Sequence, residues 1–319
     1  MMPNDVDDVA AQRAMMMTAV RRFYLADESK VKIAADLGVS RFKVARLLEQ
    51  ARATGVVRIE IVGEEGVDPA LSEQLRNALG LRNAIVLSPA TGRSATELRE
   101  AIGRLAAQDL ARRLTTNDVL GLPWSRTVAC MVAALQSLPK IPVVQLSGAL
   151  NLTGVDSTPV DVVRDATRVS GGAAHLFYAP LVAADTDSAS MLRRQPGVAA
   201  AFSHVPEVTV AVVGVGQWQP GESTIFDLAD ADEQCALSAA GAIGEISGGF
   251  IDADGAPVTS QLTGRIISIN VPQLAAIPEV IGLVTGASRH FVVAAAVRAG
   301  LINSLVTDTS LAKALLAAY

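Results

Sequence analysis

Polar side chains that could bind an anion follow an apolar run near residue 120 of this 319-residue chain. Ser125, Arg126 and Thr127 come after the strand-like run Val119–Leu122 and before an apolar helical stretch at Val128–Leu138. Two hydroxyls, a guanidinium and the free N–H groups of a helix start can together hold a phosphate or a carboxylate. An ordinary helix cap with a surface arginine is the alternative that these residues leave open.

Three further segments of this kind follow later apolar runs. The other candidate ligand-binding positions in these four segments are Gly121, Gln145, Ser147, Gly148, Gly214, Gly216 and Arg289. Glycine lets the backbone approach a ligand closely, and an arginine at the start of the apolar helix 291–297 suits an anionic group. Tight turns explain the paired glycines equally well, and a purely structural arginine is also open.

Glu245 is a carboxylate inside an otherwise apolar segment. It either accepts hydrogen bonds from ligand hydroxyls or forms an internal ion pair, because an isolated buried charge is costly. Asp252 and Asp254 favour a turn, since their spacing lacks the other ligands of a calcium loop. Cys130, Cys235 and the histidines have no metal-ligand or nucleophile spacing. The sequence therefore predicts buried thiols and no metal, cofactor or catalytic residue.

Residues 30–61 carry a different chemistry, in which the turn is the informative part. Gly38 can adopt the positive φ of a tight turn, and Ser40 is a good N-cap for the helix that follows. Apolar stripes are expected on either side of the turn. The first stripe comprises Val31, Ala34, Ala35 and Leu37, and the second comprises Val44, Leu47, Leu48 and Ala51. The pattern predicts a helix-turn-helix, and the alternation at 56–61 predicts a following strand or wing.

The outward face of this helix-turn-helix is basic and is predicted to bind DNA. The candidate contacts are Lys30, Lys32, Ser40, Arg41, Phe42, Lys43, Arg46 and Gln50. Arg46 and Lys43 could read guanine, Gln50 could read adenine, and Phe42 could contact a thymine methyl. The remaining cations are better placed for phosphates. A solvated charged face on an ordinary helical hairpin is the alternative.

Charge is divided unequally along the chain. Residues 13–58 hold ten basic and four acidic side chains, a net charge of +6, whereas residues 64–319 hold seventeen basic and twenty-four acidic ones, a net charge of −7. The total of −5 therefore conceals a basic module that suits nucleic acid. The acidic N-terminus lacks a signal-type apolar core, and no run of about eighteen apolar residues occurs. We therefore expect a cytoplasmic protein with no membrane contact.

Two predicted domains, residues 1–63 and 64–319, must position these residues. A polar, glycine-rich segment at 63–69 marks the boundary. Beyond it, strand-like runs alternate with helical stretches. These runs are 84–87, 119–122, 143–146, 176–178, 208–213, 266–269, 280–284 and 304–306. The expected fold class is α/β, with an N-terminal winged-helix-like domain and a mostly parallel sheet covered on both faces. Ligands bind such sheets at the carboxyl ends of the strands.

The order of motifs along residues 14–318 resembles the SorC/DeoR-type sugar-responsive transcriptional regulators, the SorC family. The motifs are LGVSRFKVARLLEQARATGVVRIEI, GLPWSRT, VVQLSGAL, YAPLVA, VVGVG, GAIGEISGGFIDADGAPV, VIGLVTGASR and AVRAGLINSLVTD. The resemblance implies a non-enzymatic dimer or tetramer that binds a double-stranded DNA operator and a sugar or sugar-phosphate effector. It also implies a C-terminal domain similar in fold to ribose-5-phosphate isomerases and glucosamine-6-phosphate deaminases.

On the matching positions, the resemblance implies that residues 125–127 form a phosphate loop, that residues 145–148 form a second wall, and that Glu245 accepts hydrogen bonds from hydroxyls. Two departures affect these roles. Family members usually carry a lysine where Arg289 stands, and glycine or small residues are common at the positions of Pro123 and Ser125. Because a planar guanidinium differs from an ammonium point charge, the anion is expected to be held differently or to be a carboxylate.

These observations predict a DNA-binding regulator whose operator affinity is controlled by a phosphorylated sugar or an anionic polyol. One alternative is a sugar-phosphate isomerase or deaminase fused to a DNA-binding module. It would need an acid/base pair, for which Glu245 and His175 could be nominated. A constitutive DNA-binding protein whose C-terminal domain only oligomerises is a third hypothesis.

Overall fold

The computed structural model describes residues 4–26, 28–57, 66–88, 93–150 and 158–318. The chain divides into two compact units, Met1–Glu64 and Glu65–Tyr319. Across the described ranges, none of the helices has the length and hydropathy needed to cross a membrane.

Within its described residues, the N-terminal unit contains three helices, α1 (Asn4–Tyr24), α2 (Lys30–Asp36) and α3 (Arg41–Ala53). Ser29 caps α2, and Ser40 caps α3 by accepting a hydrogen bond from the Lys43 N–H at 3.1 Å. Gly38 adopts φ +65°, which lets the chain turn between the two helices. The predicted helix-turn-helix is therefore present, with its turn and cap at the expected residues.

The predicted stripe on α3 is confirmed, whereas that on α2 was partly wrong. The four α3 residues (Val44, Leu47, Leu48 and Ala51) are at most 2% exposed and pack on α1 and α2. On α2, Ile33 and Ala34 are buried, while Val31 is 61% exposed and Ala35 is also exposed. A helix of two turns contacts its neighbours through one narrow face. Val31 and Ala35, four residues apart, share a different face of α2 and are therefore exposed. Residues 58–65, which hold most of the predicted wing and part of the predicted boundary, lie outside the described residues.

The C-terminal unit alternates strands with helices. Its strands are β1 (Asn83–Leu87), β2 (Leu120–Leu122), β3 (Val143–Gln145), β4 (Ala174–His175), β5 (Val210–Gln217), β6 (Gly244–Ile246), β7 (Gly249–Ile251), β8 (Pro257–Val258), β9 (Glu279–Val284) and β10 (Ser304–Asp308). Its α-helices are α4 (Pro69–Leu79), α5 (Ala95–Arg113), α6 (Arg126–Ala134), α7 (Pro159–Ser170), α8 (Thr186–Arg194), α9 (Pro196–Ser203), α10 (Thr224–Leu228), α11 (Ala231–Ala239), α12 (Gln261–Arg265), α13 (Val271–Ala275), α14 (His290–Arg298) and α15 (Thr309–Ala318). Short 3-10 turns occur at Val205–Glu207 and Ala287–Arg289.

A parallel sheet in the order β1-β10-β9-β5-β2-β3-β4 forms the centre of this unit. Side chains alternate between its faces, so that Val213 of β5 belongs to one apolar cluster and Val212 to the other. Helices α4, α14 and α15 cover the first face, and α5, α6 and α7 cover the second. Burial on both faces explains the nearly continuous apolar runs of these strands. The predicted mostly parallel α/β sheet is confirmed.

Two of the strand-like runs form connections instead of strands. Residues 176–178 follow the two-residue β4, and residues 266–269 take part only in isolated bridges. Phe177 and Ile267 are nevertheless at most 2% exposed and share one apolar cluster beside the sheet. Their hydrophobicity therefore reflects packing in that cluster, which a pattern of apolar residues cannot distinguish from pairing in a strand.

The two glycines expected in a loop after β5 lie inside the strand. β5 continues past the parallel sheet and pairs antiparallel with β6, placing Gly216 opposite Glu245. β6, β7 and β8 form an antiparallel extension that the sequence analysis did not predict, because strands of two or three residues have no resolvable period. The turn predicted from Asp252 is confirmed, since its Oδ1 accepts hydrogen bonds from the N–H groups of Asp254 and Ala256, both at 2.9 Å.

The prediction of two buried thiols was wrong. Cys130 is half-buried, and burial raises its pKa. Cys235 is exposed on α11, a helix that buries Leu237 and turns Cys235 away from the core. The small neighbours of Cys235 suggested burial, although small residues are equally common on the outer face of a short helix.

Candidate functional site

The predicted DNA-binding side chains of α3 lie together on one exposed surface. Arg41, Phe42, Lys43, Arg46 and Gln50 are all exposed, and Phe42 is 86% exposed. An exposed phenyl ring on a basic helix has no packing role within the described unit, whereas it suits contact with a thymine methyl. Within the helix-turn-helix, this surface has the composition needed to enter a major groove.

The other three predicted DNA contacts also have structural roles. The Ser40 hydroxyl is occupied by the N–H of Lys43 as the cap of α3. The Lys30 ammonium lies 5.3 Å from the centre of the Phe23 ring, and Lys32 Nζ lies 3.8 Å from a Glu28 carboxylate oxygen. Each of these three side chains therefore already has a contact within its own unit.

A cavity of about 410 Å³ opens where the loops following β2, β3, β5 and β9 meet. Eight of the predicted effector-binding residues line it, and these are Ser125, Arg126, Thr127, Ser147, Gly214, Gly216, Glu245 and Arg289. They come from separate segments of the chain and are brought together at the carboxyl edge of the sheet, as the fold class leads one to expect.

Three of the predicted effector-binding residues, Gly121, Gln145 and Gly148, do not line the cavity. The buried Gln145 amide donates to the Ser147 carbonyl at 2.9 Å and accepts from the Phe177 N–H at 3.2 Å. A Cβ at Gly121 would lie 2.8 Å from a Val208 methyl, and one at Gly148 would lie 2.5 Å from a carbonyl oxygen. These positions therefore allow close packing of the walls, and none of them lines the cavity.

The loop before α6 presents an open polar surface to the cavity. Ser125 adopts an extended backbone and caps α6 by accepting from the Val128 N–H at 3.1 Å. Thr127 is buried in the cavity wall, while Arg126 is exposed and has no hydrogen bond or ion pair to any residue that the structure describes. A Cβ at Gly214 would lie 2.9 Å from the Ser125 hydroxyl oxygen, so only glycine lets β5 pass this loop.

Glu245 points from β6 into the cavity. Its carboxylate accepts hydrogen bonds from the Gly248 N–H at 3.2 Å and from the Ser223 hydroxyl at 3.3 Å. Enclosure by protein raises the pKa of Glu245, and these two hydrogen bonds act in the opposite direction. A Cβ at Gly216 would lie 2.6 Å from Glu245 Oε1, so the glycine makes room for the carboxyl group. No described residue forms an ion pair with Glu245, so the structure does not support an internal ion pair, and recognition of ligand hydroxyls stays a prediction.

Arg289 lines the cavity with its charge already compensated. Its Nη2 lies 2.5 Å from Oε2 of Glu222, and its Nη1 donates to the Thr285 carbonyl at 2.7 Å. The loop that carries Arg289 is held by Asp308, whose carboxylate accepts from the Gly286 N–H at 2.7 Å. Arg289 is therefore fixed against an acidic neighbour that lies 67 positions earlier in the chain.

Sequence reasoning missed several cavity residues, of which Ser247 is the most informative. Ser247 is the one described residue other than glycine with a positive φ, at 53°. Its hydroxyl oxygen is buried and has no hydrogen-bond partner among the described residues. Strain and an unpartnered hydroxyl together are typical of a ligand contact. The neighbouring glycines in Ser247-Gly248-Gly249 could have identified a tight hairpin, although they could not reveal which side chain faces a cavity.

Arg99 and Glu222 were also missed, for different reasons. Arg99 lies in the first turns of α5, and the charged residues around it are typical of a solvent-exposed helix surface. Glu222 follows β5 by five residues, in a polar loop with the composition of an ordinary turn. Both line the cavity only because of the way in which distant segments meet.

The acid/base pair nominated for an enzyme is not brought together. His175 does not line the cavity, and its ring stacks on that of His204 with the centroids 3.6 Å apart. Burial and the neighbouring imidazole lower the pKa of His175. Among the described residues, no group of three or more His, Cys, Asp or Glu side chains could hold a metal ion.

Two curated proteins resemble this chain over most of its length. The transcriptional regulator LsrR of Klebsiella pneumoniae is 31% identical over 288 residues, which cover 88% of this chain and 86% of that protein. The erythritol catabolism regulatory protein EryD of Brucella abortus is 28% identical over 324 residues, covering 98% of both chains.

The fold has a solved counterpart, and a family model matches the C-terminal unit. The full-length sorbitol operon regulator SorC from Klebsiella pneumoniae has a TM-score of 0.71 with this structure at 24% identity, covering 95% of this chain and 98% of that chain. A family model described as a sugar-binding domain matches residues 67–317. Together with the relatives, this match shows that the chain belongs to the SorC family of sugar-binding transcriptional regulators.

Proposed function

We propose that this protein is a DNA-binding transcriptional regulator whose affinity for its operator is controlled by a small carbohydrate or polyol bound in the C-terminal cavity. Residues 1–63 bind DNA and residues 64–319 bind the effector. The observation that carries the proposal is the convergence, at the carboxyl edge of the sheet, of a polar helix start at Ser125–Thr127 and an enclosed carboxyl group on Glu245. The first suits an anionic group and the second suits hydroxyls.

The effector lies between these two groups. An anionic group, a phosphate or a carboxylate, binds at the start of α6 beside Thr127 and Arg126, which has no ion pair with any described residue. Hydroxyls extend from there towards Glu245 and the Ser247 hydroxyl, which has no hydrogen-bond partner among the described residues. A cavity of about 410 Å³ lies in the range of about 300 to 1,000 Å³ that is usual for small-molecule sites.

Binding without turnover is the favoured outcome. General acid-base chemistry on a sugar needs two titratable groups poised over one carbon atom. Among the described residues, Glu245 forms hydrogen bonds with the Ser223 hydroxyl and a backbone N–H, and the other described carboxylate that lines the cavity, Glu222, is paired with Arg289. The relatives are named regulators, which supports the same conclusion. Purified protein that isomerised or deaminated a sugar phosphate would contradict it.

Control of the operator requires more than one copy of α3. We propose that the protein acts in the cytoplasm as a dimer or tetramer, with paired recognition helices spaced by about 34 Å per DNA turn. Effector binding alters the packing of the subunits, provided that the two quaternary arrangements bind the effector unequally. A coupling of about 1 to 3 kcal/mol, roughly 5- to 150-fold in operator affinity, is the usual size of such an effect.

The test is a thermal-shift screen with phosphorylated and free sugars, polyols and sugar acids, followed by operator binding with each hit. A hit should change the operator affinity of the wild type and lose its effect in Thr127→Val and Arg126→Ala. Arg168→Ala is the matched control, because Arg168 is an exposed arginine of α7 that does not line the cavity. Operator binding that no member of the panel alters would favour a constitutive DNA-binding protein.

A further inference from the structure

The part of the effector cavity lined by Arg289 already contains an anionic side chain. Glu222 places a carboxylate oxygen 2.5 Å from Nη2 of Arg289, and the Glu222 backbone carbonyl accepts from the same nitrogen at 3.5 Å. Both side chains are mostly enclosed, Arg289 at 21% and Glu222 at 34% exposure. An ion pair screened from water in this way is more persistent than a pair on the open surface.

The guanidinium is also held in its direction. Nη1 of Arg289 donates to the Thr285 carbonyl at 2.7 Å, so the side chain folds back over its own loop towards Glu222. That loop is anchored in turn by the hydrogen bond from the Gly286 N–H to Asp308. The Arg289 guanidinium therefore donates to two backbone carbonyls and lies against the Glu222 carboxylate, whose Oε2 is buried and has no hydrogen-bond partner among the described residues.

The start of α6 is a different part of the cavity lining. Arg126 is exposed there and has no ion pair with any described residue, and Ser125 and Thr127 stand at the start of a nine-residue helix. The two arginines thus line one cavity in unequal states, one with a counter-ion and one without. A phosphate added beside Arg289 would also lie beside the Glu222 carboxylate, and repulsion between like charges opposes its binding.

We propose that Glu222 is a specificity-determining residue, which supplies the counter-ion for Arg289 so that the part of the cavity beside Arg289 accepts an uncharged, hydroxyl-bearing part of the effector and rejects a phosphate or carboxylate. The proposal rests on the proposed effector site and defines its ligand class. The effector carries at most one anionic group, which binds at Ser125–Thr127, and a polyol or sugar chain that is uncharged where it lies beside Arg289.

Inorganic phosphate tests the proposal without knowledge of the effector. Its dissociation constant is measured by calorimetric titration at constant ionic strength for wild type, Glu222→Gln, Arg289→Gln and the double variant. Glu222→Gln keeps the shape of the side chain and removes its charge. It should bind phosphate at least about tenfold more tightly than wild type, because a like charge within a few ångströms is removed. Arg289→Gln should bind no more tightly than wild type, because the Glu222 charge remains, and the double variant should lose the gain.

Glu233→Gln is the matched control, since it removes the carboxylate of another partly buried ion pair, with Arg265, that does not line the cavity. Equal phosphate affinity in wild type and Glu222→Gln would overturn the proposal. A gain that persists in the double variant, or an equal gain in Glu233→Gln, would overturn it as well, as would the failure of phosphate to bind any variant.

Failure of the proposed function would look different. If the wild type binds no phosphate while Glu222→Gln gains a site that requires Arg289, the role of Glu222 stands and the anion site at Ser125–Thr127 does not. A Glu222→Gln protein with a lowered melting temperature is replaced in the titration by Glu222→Ala, which removes the same charge with fewer polar atoms to satisfy.

Discussion

The helix-turn-helix and the effector cavity present their functional side chains in opposite ways. On α3, the exposed residues from Arg41 to Gln50 belong to one continuous segment, and the 3.6-residue period of the helix alone brings them to one surface. The cavity draws its residues from positions as far apart as Arg99 and Arg289, and the sheet order brings them together.

This difference teaches that the two regions should respond to mutation independently. A substitution on the outer face of α3 removes a predicted DNA contact, and it leaves the core intact because these side chains are exposed. A substitution in the cavity changes packing or charge among several segments at once, so it should alter effector response and stability while basal operator affinity stays unchanged. Each experiment below tests whether substitutions in α3 and in the cavity act independently.

The largest effect is expected for Arg46→Ala on operator binding. Arg46 is exposed in the middle of α3, and a bidentate contact to guanine is worth about 1 to 3 kcal/mol. We expect up to roughly 150-fold weaker binding at fixed salt and relaxed preference at one base pair, with unchanged melting temperature. Fluorescence anisotropy with operator variants measures both effects.

Arg52→Ala is the control for that experiment, because Arg52 is exposed in the last turn of the same helix. It should weaken binding slightly and equally for all sequences, as loss of a phosphate contact does. If Arg46→Ala kept its affinity and its base preference, the assignment of α3 as the recognition helix would be wrong.

Gly214→Ala is expected to have the next largest effect, in the cavity. Its Cβ would lie 2.9 Å from both Cβ and Oγ of Ser125, so the loop before α6 must move. We expect a loss of about 2 kcal/mol in stability, within the usual range for overpacking, and loss of effector response. Urea denaturation and the effector titration measure the two outcomes, and unchanged response would contradict the position assigned to this loop. Gly197→Ala, at a glycine with open space around it, is the control.

Glu245→Gln should produce a smaller effect with a distinct dependence on pH. Because burial raises the pKa of Glu245 above its ordinary value of 4.5, the folded protein holds this proton where the unfolded chain has lost it. Stability therefore falls as the pH rises from the ordinary value through the raised one. Glutamine removes this contribution, so the variant should lose less stability than wild type as the pH rises above 4.5.

The binding readout of Glu245→Gln is a decrease in effector affinity of about 1 kcal/mol, the scale of one hydrogen bond. Urea denaturation across the pH range gives the first readout, with Asp252→Asn as the control because Asp252 caps an exposed turn. Parallel pH profiles for wild type and Glu245→Gln would show that Glu245 is not the titrating group.

The contrast between the regions also explains what the sequence could reveal. The turn at Gly38 and the cap at Ser40 follow rules that act over a few residues, so the helix-turn-helix was predictable in one segment. The parallel sheet was predictable too, because burial on both faces makes its strands apolar throughout. The positions of the polar loops at the strand ends followed from that fold class.

The partners within the cavity were not predictable. Glu222 and Arg289 meet because the loops after β5 and β9 are neighbours in the sheet order, and no local pattern encodes that pairing. β6 was not predicted because it is only three residues long. The direction of the Glu245 side chain, which depends on β6, was therefore not predictable either. The Glu222–Arg289 contact and the direction of Glu245 depend on how distant segments pair in the sheet. No local pattern in a single sequence specifies that pairing.

Ser247→Gly is expected to have the smallest effect, and its two readouts should move in opposite directions. The left-handed backbone of Ser247 is strained for any residue with a Cβ, so glycine relieves a cost of about 1 kcal/mol, part of which is offset by greater freedom of the unfolded chain. The same change removes a buried hydroxyl that has no partner among the described residues. If that hydroxyl contacts the effector, affinity should fall by about 0.5 to 1.5 kcal/mol while the unliganded protein becomes slightly more stable.

Ser247→Ala separates the two causes, because it removes the hydroxyl and keeps the strained Cβ. Ser247 is a ligand contact if both variants lose effector affinity and only the glycine variant gains stability. If both variants keep their affinity, the backbone conformation of Ser247 serves only the hairpin between β6 and β7.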